Sequence, residues 1–378
     1  MKSLRTKSEF RAQKSVEQAG LALYAVDMTT LPPIREMQRA YQTRDESYDG
    51  VFFLGVRSTG IFCRPSCPAR KPKPANVQYF AATRDALFAG YRPCKRCRPL
   101  DANGRPPQWV AELLTTIEHD PNRRIQDQDL RDCGIDPARA RRFFLKHYGM
   151  TFQAYCRACR LGKAFTQIRN GADMNQVALS TGYESLSGFR DAFAQTFGGS
   201  PGRSRSSDCI VVAWLESPVG PLVAGATQAG VCLLEFTDRR MLETQFTTIR
   251  KRFGCGIVPG ESEHLDRLRE ELARYFAGAL RQFTVPLIYP GTPFERRVWD
   301  GLLSISYGET RSYDDLAREI GCHGASRAVG GANGRNRIAI VIPCHRVINK
   351  SGALGGYGGG LWRKQFLLDL ERSHCSGR

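Results

Sequence analysis

The sequence predicts a multidomain protein that combines α/β and all-α parts. Its 378 residues exceed what one domain of roughly 100–200 residues accounts for. Two polar stretches rich in glycine, proline or serine, at 101–107 and 200–207, indicate linkers. The segments between them also differ: cysteine, glycine and proline are frequent at 51–100, helical periodicity with repeated arginine follows at 108–200, and short β-type runs begin at Cys209.

Composition and charge exclude several classes of protein. Apolar residues make up 42% of the chain, enough for folded cores, and no stretch approaches the roughly 20 apolar residues that cross a bilayer. The first 16 residues are basic and polar, without the apolar stretch of a secretory signal, so we expect a cytoplasmic protein. The net charge of +18 and an isoelectric point of about 9.6 favour a polyanionic partner, nucleic acid first and an anionic membrane surface second.

Thirteen cysteines in such a chain do not indicate a disulfide framework. In a reducing compartment they are expected to be metal ligands, nucleophiles or buried apolar residues.

Four of these cysteines form two close pairs. Cys63 and Cys67 are separated by three residues, Cys94 and Cys97 by two, and 26 residues lie between the pairs. This spacing is typical of a tetrahedral zinc site in which each tight turn supplies two thiolates. No histidine precedes His119, so the site would be all cysteine. A purely structural zinc and four unrelated buried cysteines are the alternatives.

The surroundings of the pairs are strongly basic. From Cys63 to Arg98 there are nine lysines and arginines and one acid, a net charge of +8 (nine minus one). An anionic thiolate cluster would therefore sit in a cationic face that attracts DNA phosphate.

The strings VRSTGIFCRPSC at 56–67 and RPCKRC at 92–97 resemble the methylphosphotriester-accepting domain of the Ada family. The resemblance implies one Zn²⁺ held by four cysteines, with Cys63 as methyl acceptor and Cys67, Cys94 and Cys97 as the other ligands. It also implies DNA contacts from Arg64 and Arg92.

Two helix-turn-helix patterns follow. In the first, at 126–148, residues 127–133 form one helix, Gly134 begins the turn, and Asp136 caps a second helix with Pro137 at its first position.

The second pattern, at 174–197, has its turn at Gly182 and a cap at Ser185. Phe189, Phe193 and Phe197 recur every four residues, which predicts the buried face of a helix.

Two such units joined by a helix at about 151–170 resemble the AraC-type DNA-binding domain, through the strings FFLKHYGMT at 143–151 and FAQTFGGSP at 193–201. The resemblance implies that each recognition helix enters a major groove. The expected DNA-contacting side chains are Arg139, Arg141, Arg142 and Arg190. A plain helical bundle with a solvated basic face is the alternative.

Two further features of this region are interpreted as structural. Cys156 and Cys159 form a lone pair on a helical stretch, and His147 is expected at the surface or at a helix cap instead of on a metal.

Near the C-terminus the apolar run 338–342 predicts a short buried strand that Pro343 ends. Cys344 and His345 follow, and a cysteine beside a histidine at a strand end is a candidate activated nucleophile. On the dipeptide alone, a buried inert cysteine is the favoured alternative.

The string PCHRV at 343–347, with RAVG at 327–330 upstream, resembles the O6-alkylguanine-DNA alkyltransferase family. That family's fold is an RNase H-like β/α half, here about 210–285, followed by a helical catalytic half. The resemblance implies a role for each of seven residues. Cys344 would be the acceptor, His345 the base that acts through a water, and Glu371 the carboxylate that orients the histidine. Asn336 would be the hinge asparagine, Arg327 would fill the gap left by a flipped base, and Tyr313 and Tyr357 would be aromatics near the rotated nucleotide.

Two further points concern this C-terminal region. Ser312 and Asp315 form a capping-box pattern that predicts a helix at 313–320, and with the helix after Gly324 it would make a third helix-turn-helix. The family commonly has proline after the hinge asparagine, where this chain has Arg337.

Together these resemblances predict four domains and a function. The domains are a zinc-binding α/β acceptor domain at 1–103, an AraC-type double helix-turn-helix at 104–203, an RNase H-like part at 208–287 and a helical catalytic part at 288–378. The implied function is irreversible methyl transfer from DNA to Cys63 and Cys344, with Cys63 methylation switching the protein into an activator of repair genes.

The resemblances also imply partners: double-stranded DNA and RNA polymerase, for a protein acting as a monomer. Three rival functions remain open: a pure transcription regulator, a repair protein without regulation, and a metal or thiol-stress sensor.

Overall fold

The computed structural model describes residues 31–100, 107–169, 171–197, 201, 209–239 and 241–375. Two compact units emerge: one comprises residues up to 101 together with 274–280, the other 102–273 together with 281–378. Most of both expected linkers lies outside the described residues.

The first unit is built on a four-stranded sheet of order β3-β1-β2-β4, in which only β2 and β4 run parallel. Its elements are α1 (Ile34–Thr43), β1 (Phe53–Val56), β2 (Ile61–Cys63), β3 (Val77–Phe80), α2 (Thr83–Phe88) and β4 (Arg92–Pro93). Phe53, Phe62 and Phe80 form its aromatic core, and Tyr91 packs against them. Gly55 in β1 is required by this packing, because a Cβ there would lie 2.8 Å from the rings of Phe80 and Tyr91.

The second unit begins with six helices: α3 (Gln108–His119), α4 (Asp127–Asp132), α5 (Pro137–Tyr148), α6 (Phe152–Arg169), α7 (Met174–Ser180) and α8 (Leu186–Phe197). The local signals behave as predicted. The carboxylate of Asp136 caps α5 by accepting from the Ala138 amide at 2.9 Å, and the Ser185 hydroxyl accepts from the Gly188 amide at 3.1 Å. Both helix-turn-helix patterns are confirmed.

A four-stranded sheet of order β7-β6-β5-β8 follows, antiparallel except for β5 and β8. The strands and the helices between and after them are β5 (Ile210–Leu215), β6 (Leu222–Ala226), β7 (Val231–Phe236), α9 (Leu242–Phe253), β8 (Ile257–Pro259) and α10 (Glu263–Phe276). The first three strands lie in the region of short β-type runs that was predicted to begin at Cys209. Their β-branched and apolar runs are buried almost throughout, which is what a sheet covered on both faces requires.

The remaining chain is mostly helical: α11 (Pro293–Leu303), β9 (Arg311–Ser312), α12 (Tyr313–Glu319), α13 (Ser326–Gly334), β10 (Val347–Ile348) and α14 (Leu361–Cys375). The capping box is confirmed, since Ser312 and Asp315 exchange hydrogen bonds between side chain and backbone at 3.0 and 3.2 Å.

The strand predicted at 338–342 is wrong. Only Ile338 forms a bridge, with Leu234 of β7, and the next residues turn, with Ile340 at φ +71°. Because the whole run is buried, its apolar composition cannot distinguish a strand from a packed turn. A β-branched residue in the left-handed region is strained, so the surrounding packing holds this loop in place.

The helices and the first sheet of the second unit share one hydrophobic core, which runs from Val110 to Val258. Tyr148 of α5 stacks on Trp214 of β5 with ring centroids 5.5 Å apart. His147 lies in this contact, 4.3 Å from the Phe143 ring and 6.0 Å from Trp214. The His147 side chain is half-buried in the last turn of α5, and burial lowers the pKa of its imidazole to about 4.

In the part of the chain that the structure describes, helices long and apolar enough to cross a membrane do not occur.

Candidate functional sites

The four cysteines of the first unit converge as the spacing predicts. Cys63 ends β2, and the parallel pairing of β2 with β4 brings Cys94 alongside, where its amide donates to the Phe62 carbonyl at 3.0 Å. All four Sγ atoms lie within 4.8 Å of one another, and those of Cys67 and Cys94 are 3.9 Å apart. Zinc–sulfur bonds of about 2.3 Å place tetrahedral ligands about 3.8 Å apart, so the cluster fits one such ion.

The protein around this cluster does not by itself favour a thiolate at Cys63. Cys63, Cys67 and Cys94 are buried, and the Arg64 amide donates to the Cys97 sulfur at 3.4 Å. Hydrogen bonding to Cys67 and Cys97, together with burial, raises the pKa of the Cys63 thiol. A bound cation is therefore what would make Cys63 a thiolate at neutral pH.

The Asp49 carboxylate hydrogen-bonds to the turn that carries Cys63 and Cys67. Asp49 accepts from the Ser66 amide at 3.1 Å and from the Ser66 hydroxyl at 2.5 Å. Burial raises the pKa of Asp49 to about 6, although the bonds to Ser66 lower it. Sequence analysis missed Asp49, because 17 residues separate it from its partner.

Most of the arginines that are expected to contact DNA are exposed to solvent. In the first unit, Arg92 is exposed. In the second unit, Arg139, Arg141 and Arg142 of α5 and Arg190 of α8 are exposed. Two of them make local contacts: the Arg139 guanidinium lies 4.9 Å from the Trp109 ring centre, and Arg142 is 3.9 Å from the Asp136 carboxylate. Arg64 is half-buried and donates to the Arg98 carbonyl at 2.9 Å.

Cys156 and Cys159 lie along α6, where Cys156 is buried and burial raises the pKa of both thiols to about 12. Among the described residues they join no metal-binding group.

The second candidate site surrounds Cys344, which begins a one-turn 3₁₀ helix after the buried loop. The Asn336 amide donates to Cys344 Sγ at 3.1 Å and to the Ile342 carbonyl at 2.9 Å, and its oxygen accepts from the Ile338 amide at 3.0 Å. Asn336 thus shapes the loop and contacts the sulfur at once. Burial raises the pKa of the Cys344 thiol, and the bond from Asn336 opposes this.

His345 and Glu371 form a buried pair next to it. The imidazole Nε2 is 2.8 Å from Glu371 Oε1, and both side chains are fully buried. Burial lowers the pKa of His345, which favours the neutral ring that a general base needs. Burial also raises the pKa of Glu371, but its bonds to His345 and Arg346 outweigh this and hold it well below its usual value.

Sequence analysis missed two cations of this site. The Arg346 guanidinium binds both oxygens of Glu371, at 2.9 and 3.0 Å, and the Gly308 amide adds a third bond at 3.0 Å. Lys364 is fully buried and donates to the Val347 carbonyl at 2.6 Å, and burial lowers its pKa to about 8. The signal for Arg346 was present, as a charged residue within an apolar segment.

The other predicted residues surround the same loop. Tyr313 begins α12 and is half-buried, and burial raises the pKa of its phenol. Tyr357 is also half-buried and lies edge-on to Phe236 at 6.2 Å. Arg327 is exposed on α13. Arg337 stacks over Trp299 at 5.1 Å and donates to the Pro290 carbonyl at 2.5 Å, so it anchors the loop where the family has proline.

These features define the class of protein: a DNA-binding chain with helix-turn-helix units and two separate reactive-cysteine sites, one clustered and one isolated. Comparison with known families agrees. Residues 36–100 match the metal binding domain of Ada, 131–207 a helix-turn-helix domain, and 293–373 the DNA binding domain of 6-O-methylguanine DNA methyltransferase.

Curated relatives match over most of their length. The bifunctional transcriptional activator/DNA repair enzyme Ada of Escherichia coli is 32% identical over 338 residues, 87% of this chain and 93% of the relative. The methylated-DNA–protein-cysteine methyltransferase of Mycobacterium tuberculosis is 48% identical over 163 residues, 43% of this chain and 92% of the relative. A crystal structure of M. tuberculosis OGT in complex with DNA is 43% identical, with a TM-score of 0.39, over 43% of this chain and 94% of that one.

The chain therefore belongs to the Ada family. It carries that family's zinc-binding domain with its four cysteines, an AraC-type helix-turn-helix domain and an alkyltransferase domain.

Proposed function

We propose that this protein repairs alkylated DNA by two irreversible transfers, from O6-methylguanine to Cys344 and from methylphosphotriesters to Cys63. The observation that carries the proposal is the Cys344 site, where one sulfur accepts a 3.1 Å hydrogen bond from Asn336 beside a fully buried His345–Glu371 pair. Such an arrangement lets a buried thiol react as a thiolate.

At Cys344 the carboxylate of Glu371 orients the imidazole of His345, whose other nitrogen, Nδ1, is buried and makes no hydrogen bond with the described residues. That nitrogen takes the thiol proton through a water. The sulfur then bonds to the methyl carbon while the bond from carbon to guanine O6 breaks, and the electron pair leaves with the purine. We assign to Tyr313 the donation of its phenolic proton to the leaving base.

The methyl group of O6-methylguanine points into the duplex, so the nucleotide must be extruded before transfer. We assign Arg327, exposed on α13, to the gap that the base leaves, and Tyr357 to the wall of the pocket that receives it. The product is a thioether that water does not cleave, so each acceptor acts once.

At the first site Cys63 accepts the methyl, and Cys67, Cys94 and Cys97 complete the ligand set. A bound Zn²⁺ would keep the sulfur deprotonated at neutral pH. Arg64 and Arg92 attract the charged phosphates that flank the uncharged phosphotriester. The sulfur of Cys63 bonds to the methyl carbon while the bond from that carbon to the phosphate oxygen breaks, and a phosphodiester leaves. With Zn²⁺ on four thiolates the cluster would carry a charge of −2, and methylation of one thiolate would leave −1, which would strengthen DNA binding by about 1–4 kcal/mol at contact range.

That gain supplies the regulatory switch. The methylated protein binds specific promoter sites through Arg139, Arg141, Arg142 and Arg190 and activates repair genes together with RNA polymerase. We expect it to act as a cytoplasmic monomer, with the zinc-binding, helix-turn-helix, RNase H-like and catalytic parts at 1–103, 104–203, 208–287 and 288–378.

Intact-protein mass spectrometry with peptide mapping tests the proposal. The protein is incubated separately with methylphosphotriester DNA and with O6-methylguanine duplex. The expected result is one methyl on Cys63 from the first and one on Cys344 from the second. Methylation of Cys344 alone would reduce the cysteine cluster to a structural site, and no transfer to either would favour a pure regulator.

A further inference from the structure

A buried ion pair outside the predicted residues supports the Cys344 loop. Glu235 of β7 is fully buried, and the side chain of Arg239, four residues later, is 8% exposed. The Glu235 carboxylate accepts from the Phe236 amide at 3.0 Å, from the Gln245 side chain at 3.1 Å and from Arg239. Its position is therefore fixed from three directions.

The Arg239 guanidinium reaches three segments around the acceptor. Its nitrogens donate to the Gly334 carbonyl at 2.6 Å and to the Asn336 carbonyl at 3.3 Å. The third segment is the loop after Tyr357, where Gly358 lies so close that a Cβ would be 2.7 Å from Arg239 Cζ.

Each of these segments takes part in the proposed reaction. Gly334 ends α13, the helix that carries Arg327, and carbonyls in the last turn of a helix lack partners within it. Asn336 donates to the Cys344 sulfur. One guanidinium thus holds the end of the DNA-facing helix, the hinge beside the sulfur and the wall of the base pocket.

We propose that Arg239, fixed by Glu235, is a positioning residue that sets the direction of the Asn336 amide toward the Cys344 sulfur and holds α13 and the Tyr357 loop in register with it. The proposal rests on the proposed transfer to Cys344. It concerns contacts across the two halves of the alkyltransferase, since Arg239 follows the sheet and its carbonyl partners lie about one hundred residues on.

The planar fork of arginine is essential to this role. Its separate N–H groups can satisfy a carboxylate and two carbonyls at once, whereas a lysine ammonium is a point charge on a flexible stem. Charge has a separate effect: burial raises the pKa of the Cys344 thiol most, Arg239 lowers it, and Glu235 raises it. Removing both charges together therefore largely isolates the effect of geometry.

The test measures single-turnover methyl transfer from O6-methylguanine duplex to Cys344 across a range of pH. Two full-length variants, Arg239→Lys and the double variant Glu235→Leu/Arg239→Met, are compared with the unmodified protein. Misplacement of catalytic groups by about 1 Å slows reactions by up to about 100-fold. We expect rates about 10- to 100-fold lower in both variants, a rate profile displaced to higher pH, and a melting temperature in the paired variant close to that of the unmodified protein.

Arg267→Met is the matched control, because Arg267 and Glu271 form another i,i+4 pair with a buried carboxylate, on α10. It should change stability without changing transfer. Normal rates with an undisplaced pH profile in both Arg239 variants would overturn the inference. No transfer to Cys344 in the unmodified protein would instead overturn the proposed function, so the two failures are distinguishable.

Discussion

The two acceptor sites solve one chemical problem differently. Around Cys63, three more thiols from two turns complete the cluster, and the Asp49 carboxylate accepts hydrogen bonds from Ser66 of the same turn. Around Cys344, no second thiol takes part. An amide donor contacts the sulfur, and a histidine–carboxylate pair is prepared to take its proton. In the proposed mechanisms, one cysteine is activated by a ligand set that needs a cation and the other by neighbouring side chains that act through a water.

The comparison predicts that the two acceptors work independently. Cys344→Ser should abolish transfer from O6-methylguanine and leave transfer from phosphotriesters intact, and Cys63→Ser should do the reverse, because each reaction needs its own sulfur. Peptide mapping by mass spectrometry measures both. Cys133→Ser, which changes an exposed cysteine, serves as the control. Loss of both reactions in either variant would disprove independence.

Metal removal should stop methyl transfer at one site and leave it nearly unchanged at the other. A strong chelator under reducing conditions is expected to stop transfer to Cys63, whose thiol pKa is raised without a cation. Transfer to Cys344 should stay within about 2-fold, since its activating groups are all side chains. Zinc addition should restore the first reaction, and persistent phosphotriester transfer in zinc-free protein, verified by elemental analysis, would contradict the assigned ligand role.

We expect the carboxylate near Cys344 to affect methyl transfer more than the carboxylate near Cys63. Glu371→Gln should slow transfer to Cys344 by about 100-fold, the scale of a general-base contribution, because His345 loses its charged partner. The buried Arg346 also loses its counter-charge, so the melting temperature must be recorded alongside the rate. Asp369→Asn, an exposed acid on the same helix, is the control. Equal rates in the two variants would remove Glu371 from the mechanism.

The pH dependence of this region follows from the same pair. The folded pKa of His345 and that of Glu371 are both lowered, so the unfolded chain binds their protons more readily and stability rises with pH. Stability should be complete above pH about 6.5 and decline as pH falls, first through protonation of histidine and then of the carboxylate. Denaturant unfolding measured from pH 7.5 to 3 should show that Glu371→Gln loses the part of the decline that protonation of the carboxylate causes below pH about 4.3.

The smallest effect is expected at Asp49. Its pKa is raised to about 6, so the folded state binds the proton more tightly and stability falls as pH rises from about 4 to 6, the opposite sign to Glu371. Asp49→Asn should remove that slope and, as a change behind the metal ligands, weaken zinc retention by about 10-fold. Zinc-saturated transfer to Cys63 should be nearly unchanged, and a large loss there would make Asp49 part of the reaction.

Much of the fold and of both sites could be predicted because their signals are local. The cysteine pairs, the caps at Asp136 and Ser185, the phenylalanines of α8 and the capping box at Ser312 each depend on residues a few positions apart. Cys344 and His345 stand together in one short string, and the other alkyltransferase residues were predicted from the family resemblance that this string carries. These features persist wherever the segment lies in the molecule.

What could not be predicted depends on partners far along the chain. The run at 338–342 forms a turn instead of a strand, and Ile338 is the residue of this run that bridges to Leu234, about one hundred residues earlier in the chain. His147 is half-buried because Trp214 of the sheet packs near the helix that carries it.

The sequence by itself determined which residues could do chemistry: two cysteine pairs, one isolated cysteine beside histidine, and two basic helix-turn-helix units. Only the tertiary structure decided how they are held. Arg346 binds Glu371, Lys364 donates to the Val347 carbonyl near the acceptor, and Arg239 donates to the carbonyl of the hinge residue Asn336. The physical reason is that backbone propensity and side-chain caps act over three or four residues. A buried charge, in contrast, takes whichever carboxylate or carbonyl the packed chain brings within hydrogen-bonding distance.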